Sequence, residues 1–425
     1  MVRGTAIRTL LTLVLLATTV LGLTPGAVPG VRTGLALAAA ASAASAAPSP
    51  PPAPPLPFDI PARSGILIDA TTGQVLWSKN AHEKLPPASI TKIMTMLLTV
   101  EAVDRGQAKW SDRVTTSLHA YDMGGSQVYL QPGEVLTLGQ MMDAVAIESA
   151  NDATVAVAEF LAGSEEAFVA AMNQRARELG MTDTRFYNST GLPAEPGQPD
   201  NVTSAADVAK MARALVSHPS IFQFIAREKA IIPTGPKRAK PFVMYNRNGL
   251  LFSYPGADGI KTGYTDAAGY CLAGTAKQDG RRLIAVVMHA ASEAARVEQT
   301  ARLLDYGFRS FTPKTVARKG QVVGKVPLPS GARAEVDAVA AAPAYILVPR
   351  WSRGSVRSSL TWRKGLDAPV RKGQVVGGLV VRQGNQFSVT VPVVAAQSVS
   401  RAGGLTLFFR WLWHSIVHIV TFGRV

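Results

Sequence analysis

Three short strings, far apart but fixed in order, constrain this chain more than any other feature: Ser89-Ile90-Thr91-Lys92, Ser149-Ala150-Asn151 and Lys261-Thr262-Gly263. A serine and a lysine three residues apart on a helix share one face, so Lys92 is within reach of the Ser89 hydroxyl. A serine hydroxyl is a poor nucleophile until a base removes its proton. Lysine serves as that base only when neutral, which requires low polarity or a second cation close by. Lys261 is the candidate second cation, provided its strand runs beside the start of the helix. The bland reading of Ser89 is an ordinary helix N-cap.

The other two strings add complementary chemistry. Ser149 and Asn151 are expected on a loop across the cleft, the serine relaying a proton towards a leaving amine and the asparagine amide holding a substrate carbonyl and the lysine. Asn151 or Asp152 also reads simply as the cap of the next helix. Lys261 adds positive charge, Thr262 offers a hydroxyl to a terminal carboxylate, and Gly263 keeps an edge strand open for a peptide to lie against. The backbone N–H groups of Tyr264 and Ser89 form a candidate oxyanion hole. A plain β-turn is the competing reading of Thr262-Gly263.

Around these strings the pattern is mixed. Ser64 to Asp69 reads as a buried strand, turned by Thr71-Thr72-Gly73 into a second one over 74–78. Helical spacing follows over 90–103, 136–147, from near Asp152, and over 204–217 with Thr203 or Ser204 as cap. Strands return over 259–263, 269–277 and 282–290, the last two joined by Asp279-Gly280, a strong hairpin signal. Helices between two groups of strands argue for an α+β domain with an antiparallel sheet. Beyond Phe311 short alternating runs dominate, and Arg318-Lys319-Gly320-Gln321-Val322-Val323-Gly324 recurs letter for letter at Arg371 to Gly377. Two equivalent strand-turn units of a small β-sandwich explain that repeat more simply than a duplicated binding motif.

At 425 residues the chain exceeds one ordinary core. The division read from the sequence is a signal peptide over 1–47, a proline-rich linker over 48–57, a catalytic domain over 58–311, a β-rich domain over 312–396 and an amphipathic helix over 405–422. Arg3 and Arg8 ahead of an apolar stretch, then a small-residue tract to Ala47, signal export. Seven prolines follow in 48–57 and make an extended spacer. From Pro313 onward sixteen Lys/Arg stand against three Asp/Glu, which accounts for most of the net +15. No zinc-ligand, aromatic RNA-binding or basic-zipper pattern accompanies that charge, so nucleic acid is not the expected partner and an anionic membrane or wall surface is. The helix over 405–422 carries Arg410, His414, His418 and Thr421 on one face against Leu407, Phe408, Trp411, Leu412, Ile416 and Ile419, a pattern suited to lying in a membrane surface rather than crossing it. The single Cys271 sits in an apolar run and reads as a small buried hydrophobe. No metal or other cofactor is implied, and the sequons at Asn188 and Asn201 are read as incidental.

With these motifs in view, the chain resembles the low-molecular-mass penicillin-binding proteins that act as D-alanyl-D-alanine carboxypeptidases. The resemblance spans about 58–394 and includes Pro87-Ala88-Ser89-Ile90-Thr91-Lys92, Gly124-Gly125-Ser126, Ser149-Ala150-Asn151-Asp152-Ala153, Asn246-Arg247-Asn248-Gly249-Leu250-Leu251 and Asp258-Gly259-Ile260-Lys261-Thr262-Gly263-Tyr264-Thr265. It implies a transpeptidase/β-lactamase-like α+β domain, then a β-rich domain and a C-terminal amphipathic membrane helix. It implies too that Ser89 is acylated by a peptidoglycan stem peptide ending in D-Ala-D-Ala and by β-lactams, with Lys92 as base and Ser149 as proton relay. Lys261 and Thr262 would meet the terminal carboxylate, with Arg247 as a further carboxylate ligand one residue nearer Lys261 than the family spacing. Ala150 replaces a frequent glycine, without consequence for the flanking side chains. The expected location is the outer face of the bacterial cytoplasmic membrane.

Three rivals remain. A class A β-lactamase adds a deacylating glutamate, usually with asparagine four residues on, and none of Glu159, Glu165, Glu166, Glu178 and Glu195 has one. A D,D-endopeptidase runs nearly the same reaction, and the β-rich domain favours the carboxypeptidase. A non-catalytic wall-binding adaptor would use the basic C-terminal third alone.

Overall fold

The computed structural model describes residues 58–352, 354–384 and 387–410. The expected signal peptide over 1–47, the linker over 48–57 and the part of the apolar helix beyond 410 lie outside them.

Strand Ser64–Asp69 turns back into Val75–Lys79 because the Asp69 carboxylate accepts both the N–H and the hydroxyl of Thr72, each at 2.7 Å. Three much later strands, Ala257–Thr265, Gly269–Gln278 and Arg281–Ala290, complete an antiparallel sheet. Its order is Val75–Lys79, Ser64–Asp69, Arg281–Ala290, Gly269–Gln278, Ala257–Thr265, so the strand carrying Lys261-Thr262-Gly263 lies at an edge. Asp279 and Gly280 both adopt positive φ in the hairpin that the Asp-Gly pair predicts.

The sheet is buried on both faces, and its alternation follows the pleat. Ile66, Ile68, Ile284, Val286 and Met288 pack into a core with the helices of the middle segment, among them Lys92–Asp104, Asn151–Ala162 and Ala205–Val216. Leu67, Leu283, Ala285 and Val287 pack on the other side with Leu303, Leu304, Tyr306 and Phe308 of the helix Glu293–Ser310. The α+β architecture with an antiparallel sheet is therefore as expected.

Some elements differ from the sequence reading. The stretch expected as one helix over 136–147 is split. Val135–Thr137 pairs as a short strand with Arg113–Thr115, because Thr137 and Gln140 form a reciprocal capping box that starts the helix Leu138–Asp143 only afterwards. Its continuation Ala144–Glu148 is a π-helical turn. Two charge-rich helices, Glu165–Glu178 and Glu293–Ser310, were not anticipated, although each starts behind a serine cap, Ser164 and Ser292.

After Phe311 the chain forms a second β-structure. One five-stranded sheet runs Val322–Pro327, Glu335–Ala340, Phe387–Ala395, Val375–Gln383, Val356–Trp362, and a strand pair joins Phe311–Ala317 to Ala344–Pro349, all around a separate valine-rich core. The heptapeptide repeat is structural. In each copy the arginine N–H donates to the glutamine side chain, Arg318 to Gln321 at 2.9 Å and Arg371 to Gln374 at 3.0 Å, and each glycine, Gly320 and Gly373, takes positive φ. This β-structure is tied to the first sheet: the Tyr345 hydroxyl donates to the Asp69 carboxylate at 2.9 Å, and the Gln74 amide makes two bonds to the Leu347 backbone.

Candidate active site

Ser89 sits on a single 3-10 turn, Ala88–Thr91, that feeds directly into the helix Lys92–Asp104. Ala88 just before it holds φ of +48°, a strained value for a residue with a Cβ. The Lys92 side chain is fully buried, with Nζ 3.0 Å from Ser89 Oγ and donating at 2.7 Å to both Asn151 Oδ1 and the Thr190 carbonyl. Ser89 is thus no mere helix cap: no side-chain cap bond is made at this helix start.

Ser149 ends the π-helical turn with φ of +65°, and Asn151 opens the next helix. The amide nitrogen of Asn151 donates to the Gly124 carbonyl at 2.7 Å, and its backbone N–H to that of Ser126 at 2.7 Å, so one residue links Lys92 to the Gly124-Gly125-Ser126 loop. Asp152 anchors the same loop further on by accepting from the N–H groups of Val128 and Leu130, as well as from Ala153.

The edge strand meets the turn that carries Ser89 almost in van der Waals contact. A Cβ added at Gly263 would lie 2.9 Å from the Pro87 carbonyl oxygen and 3.0 Å from the Ile90 nitrogen, so glycine alone fits there. Thr262-Gly263 is accordingly strand, not turn. The condition set for Lys261 is met. Ser89, Ser126, Ser149, Arg247, Thr262, Gly263 and Tyr264 line one cavity of about 360 Å³, and the buried Lys92, Asn151 and Lys261 connect to that lining, Lys92 bonding to Ser89 and to Asn151, and Lys261 preceding Thr262. All nine residues singled out in the sequence are therefore gathered here.

The electrostatics follow from burial. Desolvation, then the neighbouring Lys261 charge, hold the Lys92 ammonium well below its ordinary pKa, opposed by Asp152. Lys261 is pulled down to about 7 by desolvation and by Arg296 and Arg247, against the pull of Glu148. Its Nζ donates to the Thr262 carbonyl at 3.0 Å. Because the unfolded chain keeps this proton to about pH 10.4, burying the charge weighs fully on stability below pH 7 and ever less as pH rises above it. Lys261→Met is expected to stabilise the fold by on the order of 2 kcal/mol at pH 6, with a smaller gain at pH 9, while slowing about a hundredfold the penicillin acylation that the resemblance implies. Urea unfolding at the two pH values, with acylation kinetics alongside, checks both halves of this expectation.

Sequence reasoning missed four contributors. Arg296 and Glu293, on the first turn of an unanticipated helix, line the cavity together with Tyr270. Arg296 is buried, donates to the Gly263 carbonyl at 3.4 Å and to Glu293 at 2.7 Å, and keeps a buried Nε without a partner. The Ser292 cap followed by an acidic first turn was the available signal. Thr190 acts through its backbone carbonyl, which no side-chain pattern reveals. Arg247, proposed for the carboxylate, pairs with Glu148 at the mouth and is half exposed.

Comparison with known proteins decides the family. The D-alanyl-D-alanine carboxypeptidase family, Peptidase_S11, matches residues 46–292. The chain belongs to this family. The penicillin-binding protein 5 C-terminal domain matches this carboxypeptidase over residues 311–401. It is 41% identical to D-alanyl-D-alanine carboxypeptidase DacF of Bacillus subtilis over 82% of its own length and 88% of that protein. It is 35% identical to DacC of Escherichia coli over 84% and 88%. Among solved structures it resembles penicillin binding protein 5 from Haemophilus influenzae, with a TM-score of 0.67 at 28% identity over 82% of this chain and all of that one. Another is penicillin-binding protein D2 from Listeria monocytogenes in its ampicillin-bound form, with a TM-score of 0.52 at 30% identity over 58% and 97%.

Proposed function

We propose that this serine carboxypeptidase removes the terminal D-alanine from peptidoglycan pentapeptide through an acyl-enzyme on Ser89, and that β-lactams acylate the same oxygen. The observation that carries the reading is the environment of Lys92. A neutral amine has two N–H donors and one lone pair. Asn151 Oδ1 and the Thr190 carbonyl, both at 2.7 Å, take the two donors, which turns the lone pair towards the Ser89 hydroxyl 3.0 Å away.

In this reading Ser89 Oγ attacks the carbonyl carbon of the penultimate D-alanine as its proton passes to Lys92. The tetrahedral oxyanion is met by the N–H groups of Ser89 and Tyr264. The proton then moves by way of the Ser149 hydroxyl to the departing nitrogen, the C–N bond breaks, and D-alanine leaves. Water attacks the ester, giving its proton back through Lys92 to Ser89 Oγ as the shortened peptide is released. Asn151 holds a substrate carbonyl, and Thr262, Lys261, Arg247 and the buried Arg296 supply hydroxyl and positive charge to the terminal carboxylate. An extended peptide lies along the edge strand at Gly263. Incubation with a fluorescent penicillin, trypsin digestion and mass spectrometry tests the assignment. The label is expected in peptide 85–92 at Ser89, and a label at any other residue overturns it.

We place the mature enzyme at the outer face of the bacterial cytoplasmic membrane, with residues 312–396 as a separate β-rich domain and 405–422 as an in-plane anchor. Supporting this, 404–410 is helical and exposes Leu405, Phe408 and Phe409. No helix among the described residues is long and apolar enough to cross a membrane. Deleting 405–425 is expected to shift most of the protein from the membrane pellet to the supernatant, and an unchanged pellet would defeat the anchor.

A further inference from the structure

We propose that Glu165, a residue outside the cavity, is a positioning residue for Lys92; the inference rests on reading Lys92 as the base. Glu165 opens the helix Glu165–Glu178, and its Oε1 accepts both the N–H of Ser189 at 2.8 Å and its hydroxyl at 2.6 Å. The next residue along is Thr190, whose carbonyl accepts from Lys92 Nζ. One carboxylate oxygen therefore stands a single peptide unit away from the acceptor that orients the base.

The segment between them has little freedom to compensate. The Ser189 carbonyl accepts from Thr95 Oγ1 at 3.0 Å, on the same helix as Lys92. Asn188 Oδ1 takes the N–H groups of Thr190 at 3.2 Å and Gly191 at 2.7 Å. Gly191, at φ of +80°, passes so close to Ala88 that an added Cβ would sit 1.8 Å from its carbonyl oxygen. The loop is thus wedged between the nucleophile turn and Glu165. Ser189 and Thr190 are fully buried, so removing the carboxylate strands a backbone donor and a hydroxyl without water. The loop must then shift to hydrate them, and the Thr190 carbonyl shifts with it. Once that acceptor is displaced, the amine no longer has both hydrogens committed, and its lone pair is no longer directed at Ser89.

Glu165 does not line the cavity. Its other oxygen faces His119 Nε2 at 3.5 Å, while His119 Nδ1 meets Glu159 at 3.1 Å. It therefore holds a loop rather than activating a deacylating water. Its removal should slow acylation and leave the groups proposed for the substrate carboxylate untouched.

The experiment is rapid-mixing acylation by a fluorescent penicillin, separating the dissociation constant of the initial complex from the acylation rate constant. Glu165→Ala is expected to lower the rate constant at least about tenfold, with the dissociation constant within about twofold. Glu165→Gln, whose amide oxygen accepts the same two bonds, is expected to return it to within about threefold of the parent. A Glu165→Ala rate equal to the parent, or a Gln variant as slow as Ala, overturns the proposal. If Glu165→Ala does not fold, Glu165→Asp, which retracts the acceptor by one methylene, is expected to show the same loss of rate at an unchanged dissociation constant, and a parental rate overturns the proposal. Lys92→Met separates the two readings: if it is inert while Glu165→Ala is normal, only the role of Glu165 falls, whereas if Lys92→Met acylates normally the base assignment falls first.

Discussion

Ser89→Ala is expected to abolish both covalent labelling by penicillin and release of D-alanine, while leaving the protein folded. The side chain is partly exposed at the cavity and the change removes one hydroxyl, so thermal stability should stay close to that of the parent. Among the described residues Ser89 supplies the one hydroxyl hydrogen-bonded to Lys92 Nζ, although Ser149 and Ser126 line the same cavity. The residual rate should be that of an uncatalysed acyl transfer in a binding site. A penicilloyl adduct on the alanine variant would mean that the nucleophile lies elsewhere. A wall-binding adaptor, by contrast, would keep its affinity for isolated cell walls and show no activity to lose.

Lys92→Met should be nearly as severe. Methionine approximates the buried volume but cannot take a proton, so acylation is expected to fall about a thousandfold or more, the upper range for loss of a general base. Because Ser89 remains, an adduct should still form over long incubation and map to the same peptide. In the proposed mechanism the reactive form of the parent is the neutral amine. Burial and Lys261 hold its pKa well below 10.5, so the neutral fraction at ordinary pH is raised. Acylation should therefore fall as pH drops through the lysine's lowered value, and this acid limb should vanish in the methionine variant. A slow variant that keeps the acid limb would assign it to another group.

The two outcomes depend on parts of the molecule that were unequally visible in the sequence. Ser89, Lys92, Ser149, Asn151, Lys261 and Thr262 are proposed to act through side chains at short, regular spacings, and such spacings survive as strings. The buried strands around Ile66 and Ile284 were equally legible, since both faces of the sheet are covered and apolar residues run without interruption. The helix Glu293–Ser310 was not, because only a narrow stripe of it reaches the core while Glu298, Arg302 and Arg309 face solvent. With the helix went Arg296. The π-helical turn that aims Ser149 depends on one extra residue accommodated in the helix and has no compositional mark. The Thr190 carbonyl and the wedge at Gly191 are backbone features, hidden inside a segment whose side chains suggested only a glycosylation sequon.

Asp69 ends the first strand and Gln74 stands just before the second, yet their side chains also bond to Tyr345 and Leu347, more than 270 residues later. Separating the halves would remove the Tyr345 donor from the Asp69 carboxylate, which keeps only Thr72, and both backbone partners from the Gln74 amide, a loss of about 1 kcal/mol for each hydrogen bond. Neither half is therefore expected to melt alone. Heat or denaturant should take both down in one cooperative step, and an injury to the valine-rich C-terminal core should be felt as lost lifetime of the enzyme even where its chemistry is untouched.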